Sequence, residues 1–273
     1  MKYSKSFSNN DIYFMEVVSD KVIINNNYDG VTFLDSDLNV LKDIKLLDDL
    51  IIDISFKHDS GIVLCCYDNQ CIIYINTETY TFKIIPLPED FEKISFLSLY
   101  EWEDNDLVLL ADNGTVTAHV NLLDDIVKVI KKDSIGRHRI SIHENWDKLC
   151  VFLIHKIYPD KHIAVVETNN TIMMMDYKNN TRAVLKMEPI KFHDIEVTTD
   201  YIVQVSEDKA SIMCGDKNVI LYPDSRDHRF LRGKFITIDK KDYLLLLVCS
   251  NADSSEANIE KHSLLSIANG NLH

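Results

Sequence analysis

Short apolar runs separated by small polar turns repeat along the whole chain. The runs are rich in Val, Ile, Tyr, Phe and Thr, which favour strands, and they are interrupted by Asp, Asn, Gly and Ser. Residues 127–130 alternate polar and apolar positions, whereas residues 243–248 are apolar throughout. Alternation predicts strands with one wet face, and continuous runs predict strands buried on both faces. The pattern therefore predicts an all-β protein.

The runs recur in groups that begin every forty to fifty residues or so, a period typical of β-propellers. The clearest copies cover 21–46, 61–87 and 107–132, with turns at 28–30, 67–69 and 112–114. The chain thus resembles a divergent β-propeller in architecture, and we expect one domain over 1–273 with about six four-stranded blades. Five to seven blades remain open because the fourth segment holds one strand too many. The expected blades are 11–46, 50–87, 95–132, 138–188, 191–223 and a last one from about 233 onward.

The last blade contains three candidate strands, at 234–239, 243–249 and 261–267. We expect residues 2–8 to supply its fourth strand, because pairing the two ends of the chain removes an open sheet edge. A short helix over 259–269 is the disfavoured alternative, since its apolar stripe is poor.

The sequence motifs exclude certain propeller families and enzyme classes, but they identify none. Trp146-Asp147 occurs once, without the upstream Gly-His of WD40 repeats, so the resemblance extends to no specific propeller family. Nucleotide-binding, zinc-protease and serine-hydrolase signatures are missing from the sequence. We expect no enzyme activity, no cofactor and no metal.

The amino-acid composition indicates which cellular compartment and which class of binding partner to expect. Hydrophobic residues make up 46% and the net charge is −14, which argues against disorder and makes direct nucleic-acid binding an unfavourable interpretation. No apolar run is long enough to cross a membrane. The six cysteines fall in or beside apolar runs and predict buried thiols in a reducing, cytoplasmic compartment. The alternatives are disulfides and a metal or redox role for Cys66 and Cys71.

Five of the six arginines lie in two short segments where one predicted blade leads to the next. Under the propeller interpretation these segments are loops at the mouth of a central channel. Arginine recognises carboxylates and phosphates through paired donors, so the segments are a candidate partner-binding site. The alternative is that these arginines pair with local carboxylates such as Asp133 and Asp227. The candidate residues are Arg137, Arg139, Arg226, His228, Arg229 and Arg232.

A second candidate surface is an acidic turn that contains a tryptophan. Its residues are Glu101, Trp102, Glu103 and Asp104. An aromatic residue among carboxylates is typical of an interaction hot spot with a charged rim. The alternative is a solvated turn with the indole folded under a blade.

These features favour a non-enzymatic protein–protein interaction module that docks a basic or mixed-charge protein. An inhibitor or immunity-type protein and an assembly scaffold are two versions of this hypothesis. The alternative is an enzyme or small-ligand binder in which Arg137, His138, Arg139, His228, Arg229 and Arg232 bind an anionic substrate.

Overall fold

The structure of the protein is a computed structural model. It describes residues 2–8, 11–58, 60–66, 68–87, 102–103, 106–110, 116–121, 126–131, 153–158, 163–168, 171–176, 179, 181–185, 191–250 and 256–268. Within these residues the strands form six four-stranded antiparallel sheets, each of them one blade. The all-β, β-propeller prediction is confirmed, and six lies within the predicted range. No helix in this part of the chain is long and apolar enough to cross a membrane.

The chain divides into two compact units, of which the first contains residues 1–50 and 187–273. Blade 1 consists of β2 (Met15–Val18), β3 (Lys21–Asn26), β4 (Gly30–Leu34) and β5 (Val40–Lys45). Blade 5 consists of β18 (Asp194–Val197), β19 (Tyr201–Val205), β20 (Ala210–Cys214) and β21 (Lys217–Leu221). Blade 6 consists of β22 (His228–Ile238), β23 (Lys241–Ser250), β24 (Ala257–Ser263) and, from the other end of the chain, β1 (Lys2–Phe7).

The second unit contains residues 51–186. Blade 2 consists of β6 (Ile54–His58), β7 (Gly61–Cys66), β8 (Cys71–Asn76) and β9 (Phe82–Pro86). Blade 3 consists of β10 (Trp102–Glu103), β11 (Asp106–Leu110), β12 (Val116–Asn121) and β13 (Ile126–Lys131). Blade 4 consists of β14 (Leu153–Tyr158), β15 (Ile163–Thr168), β16 (Thr171–Asp176) and β17 (Thr181–Val184). The surplus strand candidate at 139–143 lies outside the described residues.

Blade 6 confirms the predicted pairing of the chain ends. β1 pairs antiparallel with β24 over its whole length, from Lys2 opposite His262 to Phe7 opposite Ala257. Burial opposes the charge on Lys2, but Asp224 and Glu260 hold its ammonium group and raise its pKa. The N-terminal strand is therefore held by its backbone ladder and by an ionic contact at its first residue.

The end of blade 6 corrects the sequence-based boundaries. β24 begins at Ala257 and ends at Ser263, and a short helix, α1 (Leu264–Ala268), follows it directly. The prediction that 261–267 is a strand is wrong in its second half. Leu264 is buried against blade 5 residues whereas Leu265 is exposed, so the Leu264 side chain anchors this helical turn.

The apolar run in β23 is buried on both faces. Leu245, Leu247 and Cys249 pack in a cluster with blade 1 residues. Leu244, Leu246 and Val248 pack in a second cluster with blade 5 residues. A strand between two neighbouring blades has no wet face, which explains why its sequence does not alternate.

A buried asparagine organises the segment that leads into blade 1. The Asn25 side chain accepts the backbone N–H groups of Tyr13 and Phe14 at 2.9 and 3.0 Å. Its amide group donates to the carbonyls of Asp11 and Asn27 at 2.7 and 2.8 Å. Because it satisfies four backbone groups at once, Asn25 fixes the path of the chain before β2.

Candidate functional site

The arginine-rich segment 226–232 belongs mostly to a strand. Arg226 lies in an exposed turn, but β22 already begins at His228 and continues to Ile238. The prediction that this segment is an inter-blade loop and that the strand begins near 234 is therefore wrong. Phe230 explains the difference, because its side chain is completely buried and its backbone pairs with Val248 of β23.

A β-bulge determines which way the charged side chains of β22 point. The register slips between Phe230 and Arg232, so that Arg229 lies opposite Cys249 and Arg232 lies opposite Leu247. Two residues that are two positions apart on β23 share one face. The bulge therefore places Arg229 and Arg232 on the same face of the sheet, although they are three positions apart in sequence.

Lys234 continues this face, opposite Leu245. We call Arg229, Arg232 and Lys234 the cation row. β22 lies beside β18 of blade 5 and β2 of blade 1. Such a row concentrates three positive charges in a unit whose surface is otherwise rich in carboxylates.

Lys234 is neutralised by two carboxylates of blade 5. Its side chain is only 2% exposed, and its Nζ lies 3.2 Å from Asp194 Oδ2 and 3.4 Å from Glu196 Oε2. Asp194 also accepts the backbone N–H of Gly233 at 2.9 Å. A buried cation between two hydrogen-bonded carboxylates joins blades 5 and 6, and its role is structural.

This ionic cluster was missed by the sequence analysis. A local signal existed, since Asp194 and Glu196 alternate on a short strand and Lys234 directly precedes the apolar residues Phe235 and Ile236. The partners lie about forty positions apart in sequence. A local pattern gives no information on which strands are neighbours.

Arg229 and Arg232 differ from Lys234 because no described carboxylate forms an ion pair with them. Both are half-buried. Arg232 Nη1 donates to the carbonyl of Leu231 at 2.9 Å. The Nε atom of Arg229 is buried and has no hydrogen-bond partner in the described part of the chain. The two guanidinium groups therefore retain donors for an anionic group from outside.

The positive charge of Arg229 affects the ionisation of Cys249 on the adjacent strand. Burial raises the pKa of the Cys249 thiol to about 11, and the positive charge of Arg229 acts in the opposite direction. Cys249 remains protonated at neutral pH, so it does not compete for the arginine as a thiolate. Cys249 is therefore not a counter-ion of Arg229.

Backbone contacts with blade 5 hold the arginine segment in place. The N–H of Phe230 donates to the carbonyl of Glu207 at 3.0 Å, and His193 Nε2 lies 3.0 Å from the carbonyl of Leu231. The exposed side chains of Glu207, Asp224 and Asp227 lie on segments beside or within this connection. The surface around the two arginines is therefore rigid, and it carries both positively and negatively charged side chains.

The remaining predicted site residues are only partly placed. His228 is half-buried at the start of β22, opposite Ser250. Trp102 and Glu103 form the short strand β10, opposite Leu107 and Asp106, so the prediction of a turn is wrong for these two positions because they begin a ladder. Arg137, Arg139, Glu101 and Asp104 lie outside the described residues. The structure thus brings Arg229 and Arg232 together and leaves the acidic surface a prediction.

Among the described residues, no group of three or more His, Cys, Asp or Glu side chains is arranged to hold a metal ion. The acidic pair of Asp194 and Glu196 has Lys234 between its oxygens instead.

Comparison with known proteins shows similarity in fold only. No protein-family model matches the chain, and no curated protein matches it in sequence. Among solved structures, virginiamycin B lyase from Staphylococcus aureus is similar over 95% of this chain and 99% of its own, with 10% identity and a TM-score of 0.48. The Cps50 (Swd1) β-propeller domain of Myceliophteria thermophila is similar over 94% of this chain and 98% of its own, with 8% identity and a TM-score of 0.47. At this similarity neither activity nor partner is transferred from those proteins.

Proposed function

We propose that the protein is a non-enzymatic module that binds another protein through the surface at the start of β22. The supporting observation is that Arg229 and Arg232 share one face and lack carboxylate partners in the described residues, whereas Lys234 on the same face is neutralised. Arg229 and Arg232, for which no described carboxylate is an ion-pair partner, favour a binding partner that supplies a carboxylate. The residues of this surface, which we call the arginine surface, are Arg226, His228, Arg229 and Arg232.

The overall charge supports the same proposal in another way. At −14 the protein attracts a positively charged partner over a distance of about one Debye length, which is about 8 Å at physiological salt. A mixed-charge partner would be guided by its basic groups and fixed by an acidic group that contacts the arginines. Charge then speeds the encounter, and the forked arginine contacts determine the register.

A surface of this kind binds with little ordering cost. Arg229 and Arg232 project from a strand that pairs with β23 along its length, and Phe230 between them is fixed in the core. Only the ends of two side chains lose freedom on binding, at about 0.5–1.5 kcal/mol each. An inhibitor of the immunity type and an assembly scaffold are both consistent with such docking.

The test is an affinity pull-down from native lysate at low and moderate salt, followed by quantitative mass spectrometry. The wild type should retain one specific protein, and the Arg229→Glu/Arg232→Glu variant should lose it. The matched control is Lys240→Glu/Lys241→Glu, which makes the same charge change at the exposed turn at the other end of β22. Equal loss in both variants would indicate a net-charge effect only, and unchanged retention in the arginine variant would refute the proposal.

A second candidate function is binding of a small anion at the same two arginines. The observation that favours it is the buried Arg229 Nε, a donor that has no hydrogen-bond partner in the described residues and that a bound anion would satisfy. Inorganic phosphate and nucleotides should then raise the melting temperature with concentration. The rise should disappear in Arg229→Glu/Arg232→Glu and persist in the lysine control. No rise with the wild type leaves the protein-binding proposal as the sole candidate.

A further inference from the structure

Two cysteines face each other at the end of a hairpin in blade 2. Cys66 is the last residue of β7 and Cys71 is the first residue of β8, and the two are directly opposite in the ladder. Directly opposite residues of an antiparallel pair have Cα atoms about 4.5–5.5 Å apart. This spacing lies within the range that a disulfide spans, about 4.4–6.8 Å. The backbone therefore allows a bond between the two sulfurs without rearrangement.

The two thiols are close enough to affect each other's ionisation. The hydrogen-bonding interaction with Cys71 raises the pKa of Cys66, which burial raises further. The same interaction lowers the pKa of Cys71 against the opposing effect of burial. The pair is asymmetric: Cys71 is the sulfur that more readily becomes a thiolate, and Cys66 keeps its proton.

The other cysteines in the described residues lack this arrangement. Cys65 lies opposite Ile72, points to the other face of the sheet, and has its pKa raised by burial. Cys249 is opposite Arg229, and Cys214 is opposite Lys217. Only one pair of described thiols is therefore set up to react with each other.

We propose that Cys66 and Cys71 form a redox-active dithiol that a hydroperoxide converts into an intramolecular disulfide. The feature that carries the proposal is the direct cross-strand pairing of two buried thiols. It concerns a modification site in blade 2, and it is independent of the proposed function of blade 6.

The reaction balances in two steps. The Cys71 thiolate attacks the terminal oxygen of the hydroperoxide, the O–O bond breaks, and the alkoxide or hydroxide that leaves takes up a proton. Cys71 is then a sulfenic acid. The sulfur of Cys66 attacks the sulfur of Cys71, the S–O bond breaks, and the departing hydroxide takes the Cys66 proton as water. The dithiol is oxidised by two electrons and the peroxide is reduced by two.

Burial restricts the oxidant to small molecules. Cys66 is 0% exposed and Cys71 is 3% exposed, whereas Asp68 and Gln70 in the connecting turn are exposed. The thiols thus lie directly beneath a solvent-facing turn at the end of the hairpin. Hydrogen peroxide, which is close to water in size, is the oxidant that this location favours, and larger disulfide oxidants such as glutathione disulfide are excluded by size.

The experiment treats the reduced full-length protein with increasing hydrogen peroxide, then unfolds it, alkylates free thiols and digests it with trypsin. Cleavage after Lys57 and Lys83 releases residues 58–83, which contain all three cysteines of blade 2. The expected product carries one alkyl group, on Cys65, and lacks two hydrogen atoms. Dithiothreitol should reverse it. Cys65 should react at least about 10-fold more slowly, because thiolate character controls the rate.

Two variants separate the roles of the sulfurs. Cys66→Ser should leave Cys71 as a sulfenic acid that dimedone traps, and Cys71→Ser should yield little trapped product at position 66. Cys65→Ser is the matched control and should form the bond as the wild type does. The proposal is wrong if wild-type residues 58–83 carry three alkyl groups at peroxide concentrations that oxidise Cys214, or if Cys65 enters the bond. The wild-type result decides the matter even if a serine variant fails to fold.

Discussion

The buried cation of blade 6 allows a sharp test of the packing between blades 5 and 6. In Lys234→Met a side chain of similar length and no charge replaces the ammonium group that is 2% exposed. The carboxylates of Asp194 and Glu196 then lose the cation that lies 3.2 and 3.4 Å from them. Breaking a buried ionic set by removing one member costs about 3–5 kcal/mol. This is a large part of the total stability of a typical domain, about 5–15 kcal/mol.

The assay is equilibrium unfolding in urea, followed by circular dichroism or fluorescence. The second variant, Lys234→Met/Glu196→Gln, also removes the negative charge of Glu196. It should recover at least about half of the lost free energy of unfolding, since replacing buried ions together is often close to neutral. The control is Lys45→Met, whose partner Asp48 is exposed, and it should leave the free energy of unfolding nearly unchanged.

The pH dependence gives an independent check. In Lys234→Met two carboxylates lie close together without the Lys234 ammonium group, so protonation of one of them relieves repulsion in the folded state. The deficit relative to the wild type should therefore shrink as the pH falls from about 8 to about 5. A loss below about 1 kcal/mol at every pH would refute the structural role that we assign to Lys234.

Three further predictions concern the rest of the first unit. Deleting residues 1–8 removes β1 and should lower the melting temperature by several degrees; an unchanged value would contradict closure of blade 6 by this strand. In calorimetry Gly30→Ala should be far more destabilising than Gly215→Ala, because a Cβ at Gly30 would lie 1.9 Å from a backbone oxygen whereas Gly215, at φ +58°, has open space. Burial opposes ionisation of Asp35, but N–H groups of residues 37 and 39 lower its pKa in the folded protein. The ionised Asp35 therefore stabilises the fold above about pH 4, and this contribution is lost as the pH falls through the lowered pKa of the folded state. Asp35→Asn should therefore differ from wild type at about pH 6 and converge with it in acid titrations of unfolding.

Most of the fold could be predicted from the pattern of apolar runs and turns in the sequence. Continuous apolar runs such as 243–248 and turns such as 28–30 are dictated by local chemistry, and the ladders lie where these patterns place them. The N-terminal strand was also predictable, because the last blade lacked a partner. In each case the relevant signal lies within a few residues or follows from counting strands.

The errors lie where the register is irregular or the partner is distant. The bulge at Leu231 breaks the alternation of β22, so its first half resembled a charged loop. The partners of Lys234 are specified by which blades are neighbours, and a local pattern contains no such information. The sequence shows that a turn separates Cys66 from Cys71, but only the ladder shows that the two residues are directly opposite.

The pairing of β1 with β24 also has a consequence for synthesis of the chain. β1 is synthesised long before β24, because the paired residues of the two strands lie 250 to 260 positions apart in sequence. Long-range pairings of this kind slow folding. Until β1 docks, the outer edge of β24 presents unpaired N–H and C=O groups, which are a template for pairing between molecules. We therefore expect the nascent or truncated protein to depend on chaperones and low concentration far more than the finished protein does.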